Sequence, residues 1–120
     1  MQLIYSTLFQ THPVTQGSMS CFKNRIAHPD KVIQSRKLWN EHFALHPIEY
    51  QVSKKDRYYV EFEYAMKSLV IGDIDKLCRF SLDSMTQNSI IADDRYVQRI
   101  SANKVQSDSE YVKIHVYLLN

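Results

Sequence analysis

The sequence predicts an α+β fold: one domain over residues 1–120, ordered strand, helix, strand, helix, strand, strand, with two helices on one face of a mixed sheet. Three observations carry that expectation. Residues 57–66 alternate, with Tyr58, Val60, Phe62 and Tyr64 against Tyr59, Glu61, Glu63 and Ala65, the period of a strand with one buried face. Two segments, 29–45 and 73–87, carry apolar residues at helical spacing and are bracketed by Pro, Gly and Asp. Two further alternating runs follow the second of them. With 120 residues, 44% hydrophobic content, 2 glycines and 3 prolines, the chain can bury one modest core and lacks the composition of a disordered segment.

The elements follow in order. Gln2 to Phe9 alternates and reads as the first strand. A long polar segment from Gln10 to Ala27 comes next, with Lys23 and Arg25 in its basic part; loops of that length in a small domain are usually functional or disordered. Pro29-Asp30 opens a helix that runs to about Leu45, where His46-Pro47 closes it; Val32, Arg36, Trp39 and Phe43 lie along its inner stripe. His42 and His46 have the i, i+4 spacing that two metal ligands can use, but no third ligand stands near them in sequence. Lys54-Lys55-Asp56-Arg57 reads as a solvated charged turn before the alternating strand, and Glu61 and Glu63 read as its wet face. Strands from Tyr96 to Lys104 and from Tyr111 to Leu119 are separated by a polar turn, which predicts an antiparallel hairpin.

The stretch that organises the rest lies between those strands. Gly72 frees an entry turn, Asp73 can cap the second helix, and Ile74, Leu77, Cys78, Ser81, Leu82 and Met85 read as its buried face. Asp75, Arg79 and Asp83 follow at i, i+4, i+8 on the neighbouring wetter strip. After the helix, Ile90-Ile91 returns to the core, and Asp93-Asp94 is expected at the sheet end where Asp73 and Asp75 already sit. Three or four carboxylates converging there suit a hard divalent cation such as Mg²⁺, with Arg79 supplying positive charge for a phosphate. Each piece has a bland explanation, since Asp is common at helix starts and Asp-Asp in turns. An EF-hand fails, because the sixth loop position is Cys78 and the twelfth Ser84, where Gly and Glu are needed. A nuclease motif of an acid followed by Glu-x-Lys on a strand is not evident; Glu61-Phe62-Glu63 comes nearest.

Taken together, Asp73, Asp75, Lys76, Leu77, Arg79, Leu82, Asp83, Met85, Asp93, Asp94 and Val97 resemble the pattern of the RusA-like Holliday-junction resolvases. That pattern is D-x-D-K/N-L, a basic residue, L-D-x-L/M, and a later hydrophobic-x-D-D-x-x-V. The element order agrees through most of the chain. Two positions depart from it: Lys76 stands where many relatives carry Asn, and Arg79 where some carry Lys, which keeps the charge but not a readily surrendered proton. The resemblance implies a metal-dependent endonuclease that resolves branched DNA by paired nicks. Asp73, Asp75 and Asp94 are then the principal Mg²⁺ or Mn²⁺ ligands, Asp93 assists them, and Arg79 stabilises charge developing on the phosphate. Lys23, Arg25 and Lys76 are the expected DNA contacts.

Paired incision of a four-way junction further implies a homodimer. The apolar residues Tyr58, Val60, Phe62 and Tyr64, or their alternates, offer more sheet surface than two helices are expected to cover, hence a candidate interface. The formal net charge of +2 permits nucleic-acid binding without requiring it. No apolar run approaches the roughly 20 residues of a membrane span, and no signal-peptide pattern opens the chain. Cys21 and Cys78 read as reduced thiols, so a cytoplasmic protein is expected. A second reading, from another class, is a non-catalytic DNA-binding or assembly protein in which the aspartates are only caps and turn residues.

Overall fold

The structure, a computed structural model, describes residues 1–15, 21–22, 25–26 and 29–120. Its main sheet contains β1 (Gln2–Phe9), β4 (Tyr58–Met66), β5 (Val97–Gln106) and β6 (Tyr111–Leu118), in the order β1-β6-β4-β5. The short strands β2 (Cys21–Phe22) and β3 (Arg25–Ile26) pair antiparallel with each other. The helices α1 (Pro29–Leu45) and α2 (Ile74–Gln87) complete the α+β domain.

The alternation of β4 becomes two unlike sheet faces. Tyr58, Val60, Phe62 and Tyr64 are almost wholly buried, and Val112, Ile114, Val116 and Leu118 of β6 join them. Both helices cover this face. Trp39 and Phe43 of α1 meet Phe9, Tyr5 and Phe80 edge-on or tilted, with ring centroids 5.2–6.3 Å apart. The apolar sheet surface expected to remain as an interface is therefore covered within one chain. The opposite face is polar: Glu63 takes a hydrogen bond from Tyr111 at 2.6 Å and lies 3.7 Å from Lys113, and Glu61 lies 3.6 Å from His115. Glu61 and Glu63 thus belong to the open face, as expected.

The last two strands depart from the expected hairpin. β5 pairs parallel with β4, while β6 pairs antiparallel with both β4 and β1. Residues 107–110 therefore pass around the end of β4, where the Ser107 N–H donates to the Met66 carbonyl. A short polar turn signals that two strands run in opposite directions; it does not reveal that a third lies between them.

The buried face of α2 is also rotated from its expected position. Leu77, Cys78, Ser81 and Met85 are inside, joined by Phe80 and Ser84, whereas Ile74 is exposed and Leu82 half-buried. Phe80 is drawn in because the aromatic pocket between α1 and the sheet can accept a whole ring. The i, i+4 histidines of α1 find a different use. His42 sits 2.7 Å from the Thr7 hydroxyl and stacks on Phe9 at 4.2 Å, which docks α1 on β1. Cys78 is buried and free; the side chains of Cys21 and Val32 lie outside the described residues. No described helix is long and apolar enough to cross a membrane.

Candidate active site

A parallel β4-α2-β5 unit dictates where the acidic residues go. α2 must start at the end of β4 that carries Met66 and return to the end that carries Tyr58, because Tyr58 is the partner of Val97 at the start of β5. Contacts at both ends agree. A Cβ on Gly72 would lie 3.8 Å from the Met66 side chain, whereas the Ala92 N–H donates to the Tyr58 hydroxyl at 3.1 Å. Asp73 and Asp75 therefore stand at one end of the sheet, and Asp93 and Asp94 at the other. Convergence within one chain, expected from the sequence, does not occur. The eight residues from Asp75 to Asp83 alone rise about 12 Å along the helix. Among the described residues no group of three His, Cys, Asp or Glu side chains could hold a metal ion.

At the first end, Gly72 takes φ +80°, a backbone conformation that side chains disfavour, and turns the chain into α2. Asp73 occupies the N-cap position, yet its carboxylate caps nothing: no side-chain hydrogen bond reaches a helix N–H. It lies 70% exposed, 3.5 Å from the Lys76 ammonium. The capping explanation for Asp73 is thereby removed, and Lys76 is engaged with an acid of the site. Asp75 is exposed in the first helical turn. Thr15 reaches this corner, its methyl 3.1 Å from where a Gly72 Cβ would be. Lys23 lies outside the described residues, as does the side chain of Arg25.

One turn beyond Asp75, Arg79 is exposed and forms no ion pair among the described residues, with Asp75, Asp83 or any other acid. An i, i+4 ladder would have placed it against both of those acids.

The second end is built by a relay that the sequence reading missed. Asp56, buried in the turn taken for solvated, accepts hydrogen bonds from Tyr50, the Ser53 N–H and Tyr58, at 2.8, 2.8 and 2.9 Å. Tyr58 in turn accepts from Ala92, the residue before the acidic pair. The only hint in the sequence is an Asp three residues after Ser53, a spacing at which a side chain can close a turn. Asp93 accepts from the Arg95 N–H at 3.0 Å and starts the single 3₁₀ turn Asp94–Tyr96.

The paired carboxyls titrate apart. The Arg95 N–H, followed by a hydrogen bond with Asp94, holds Asp93 below the usual carboxylate range. Asp94 is raised, first by that hydrogen bond with Asp93, then by burial and by the charges of Asp93 and Asp83. Asp83 thus belongs electrostatically with the second end. Arg57 and Arg95 lie over Tyr96, at 5.1 and 5.2 Å from its ring, and Arg99 lies 4.6 Å over Tyr59, giving this end a basic, aromatic border.

Carboxylate oxygens are the right donors for Mg²⁺ or Mn²⁺, but one chain places Asp73 and Asp75 at one end and Asp83, Asp93 and Asp94 at the other, and among the described residues no three such groups gather. The residues of a single chain therefore do not fit the expected metal centre. The chain matches no protein-family model and no curated protein.

Proposed function

We propose that the protein is a structure-selective DNA endonuclease that acts on branched DNA with Mg²⁺, as its resemblance to the RusA-like resolvases implies. The observation that carries this reading is the pair Asp73 and Asp75 beside an uncommitted Arg79. Two exposed carboxylates stand where a helix begins, one at an N-cap position that it does not use, and a guanidinium one turn later neutralises neither. Side chains kept only for helix stability would be spent on caps and on i, i+3 or i, i+4 pairs; Asp73 makes one such pair, with Lys76, whereas Asp75 and Arg79 make none among the described residues. Left free, Arg79 can meet a phosphate oxygen with two N–H donors and stabilise charge that develops there during strand cleavage.

A nicking assay on a synthetic four-way junction, with and without Mg²⁺, tests the reading. Cleavage is expected only with the metal. Asp75→Asn is expected to abolish it while leaving junction binding intact, since the amide keeps the shape and removes one negative charge facing the phosphates. Wild-type-like cleavage by this variant would sink the assignment.

A specific observation favours a second reading, a non-catalytic protein that binds branched DNA: the acids do not gather within one chain, whereas Arg57, Arg95, Tyr96, Arg99 and Tyr59 form a stacked basic border. Junction binding without cleavage under any divalent metal selects it.

A further inference from the structure

The loop that joins β4 to α2 leaves three consecutive apolar side chains in solvent. Leu69 is 42% exposed, Val70 91% and Ile71 58%, and Ile74 follows at 38% in the first turn of α2. Single exposed apolar residues are ordinary, but a contiguous cluster marks a contact surface. A turn here could have been built from Gly, Asn, Asp or Ser, the residues that turns favour.

The loop is also held firmly from below. The Ser107 N–H donates to the Met66 carbonyl at 2.9 Å, and the Lys104 ammonium donates to the Leu69 carbonyl at 2.9 Å. The Lys67 N–H donates to the Glu110 carboxylate at 3.3 Å. At the far end Gly72, with φ +80°, turns the chain into α2. The backbone on either side of the tip is thus tied to its own sheet. What the loop offers outward is the bare apolar tip, Val70 and Ile71.

We propose that this tip is a wedge that enters the interrupted base stack at the branch point of branched DNA. The inference rests on the nuclease reading and names the feature of the substrate that the loop selects. Charge complementarity favours DNA as the occupant. Lys67 is exposed within the loop, Lys104 sits beneath it, and Lys76 and Arg79 follow on α2. Apolar side chains rimmed by cations suit base faces rimmed by phosphates, and Leu and Ile are among the residues that part base steps. Four side chains supply only a fraction of the roughly 800 Å² per partner that a stable protein interface buries. Proximity to the acids agrees. Three residues separate Val70 from Asp73, a reach of at most about 10 Å, or roughly three base steps. A wedge at the branch therefore sets nearby phosphates within range of Asp73 and Asp75. The wedge also supplies selectivity without reading bases. In a continuous duplex it must first unstack a step, whereas at a branch the stack is already interrupted.

The test uses the full chain without divalent metal, so that no strand is cut. Its probe is a four-way junction with 2-aminopurine, a base that fluoresces more when unstacked, at the branch point. Binding of the wild type is expected to brighten this probe, and to leave one in the middle of an arm unchanged. The double variant Val70→Ser with Ile71→Ser changes only exposed side chains, so its thermal midpoint and its affinity for continuous duplex should match the wild type. Its affinity for the junction should fall on the order of tenfold, the usual effect of losing one stacking contact to a base, and the brightening should vanish. Val70→Phe should keep both, since an apolar ring still enters the step. Unchanged junction affinity and brightening in the double serine variant overturn the proposal. An equal loss on junction and duplex also overturns it, because the loop is then a general contact. Wild type that sediments with phosphatidylcholine vesicles, where the double serine variant does not, gives the tip to a lipid surface instead. These readouts do not depend on cleavage. Junctions that brighten yet stay uncut when Mg²⁺ is added refute the nuclease reading alone. Junctions nicked equally well by wild type and double serine variant at limiting protein refute the wedge alone.

Discussion

Arg79 decides between two uses of one helix face. Had it bridged Asp75 and Asp83, its removal would cost only the ~0.3–0.5 kcal/mol of an exposed i, i+4 pair. It makes no ion pair among the described residues, so that account has no contact to remove. In single-turnover cleavage of a saturated junction, Arg79→Ala is expected to slow the reaction on the order of 100-fold, the usual cost of losing one donor to a developing oxyanion. Arg79→Lys should recover part of the rate, since charge survives but the two-pronged donor does not. Cutting by the alanine variant within a few-fold of wild type would return Arg79 to the solvent. The same scale shows how far the sequence could be read. That Asp73 and Asp75 open α2 and that Asp93 and Asp94 precede the next strand was legible from residue type and spacing, whereas their separation to opposite ends of the sheet was not. That Asp73 leaves its cap unused was not, because a cap is a matter of rotamer and the sequence offers only the opportunity. Phe80 was passed over for Ile74 and Leu82, since all three border the apolar stripe and only the shape of the neighbouring pocket separates them.

At the scale of elements, two joints fix the loop before β5 and the helix α1 to the sheet. In the first, the Tyr58 hydroxyl links the buried Asp56 to the Ala92 N–H. Tyr58→Phe removes one donor to a carboxylate and orphans a backbone N–H, changes worth about 1–3 kcal/mol when buried. The urea midpoint should fall accordingly. Cleavage should fall further than junction binding, because the loop that carries Asp94 loses its anchor. Equal losses in both would make Tyr58 merely structural. In the second joint, α1 meets β1 through His42, which lies against Thr7 and Phe9. Burial, and then the neighbouring His46, lowers its pKa from 6.5 to about 4. The unfolded chain thus binds this proton between about pH 6.5 and 4 while the folded one does not, so stability is full above 6.5 and lost as pH falls through that window. Unfolding midpoints at pH 7 and 5 should show the loss, and His42→Gln should flatten it. A wild type as stable at pH 5 as at 7 would contradict the burial argument. The boundaries of α1 and α2 were legible from Pro29, Pro47, Gly72 and Asn88. The pairing of β5 was not: strand alternation specifies faces, and leaves neighbours and direction open.

The whole molecule separates its charges in a way that the net value conceals. A formal +2 is nearly neutral, yet acids cluster at both ends of α2 while Arg57, Arg95 and Arg99 border the second of these ends. If branched DNA lies along this border, each phosphate neutralised there releases counterions, and affinity falls steeply with salt. Arg95 is the cleanest probe. Its side chain is 69% exposed, it lies over Tyr96, and it sits 3.7 Å from Asp93 without being buried by that contact. Arg95→Ala should therefore leave the thermal midpoint nearly unchanged. Against junctions of different sequence it should weaken binding by the same factor, because a phosphate contact reads no bases. The slope of log affinity against log salt should become shallower by about one. A loss of affinity that depends on junction sequence would instead assign Arg95 to base contacts. An unchanged slope would take this border off the DNA and leave binding to the Asp73 end, where Lys76 and Thr15 lie.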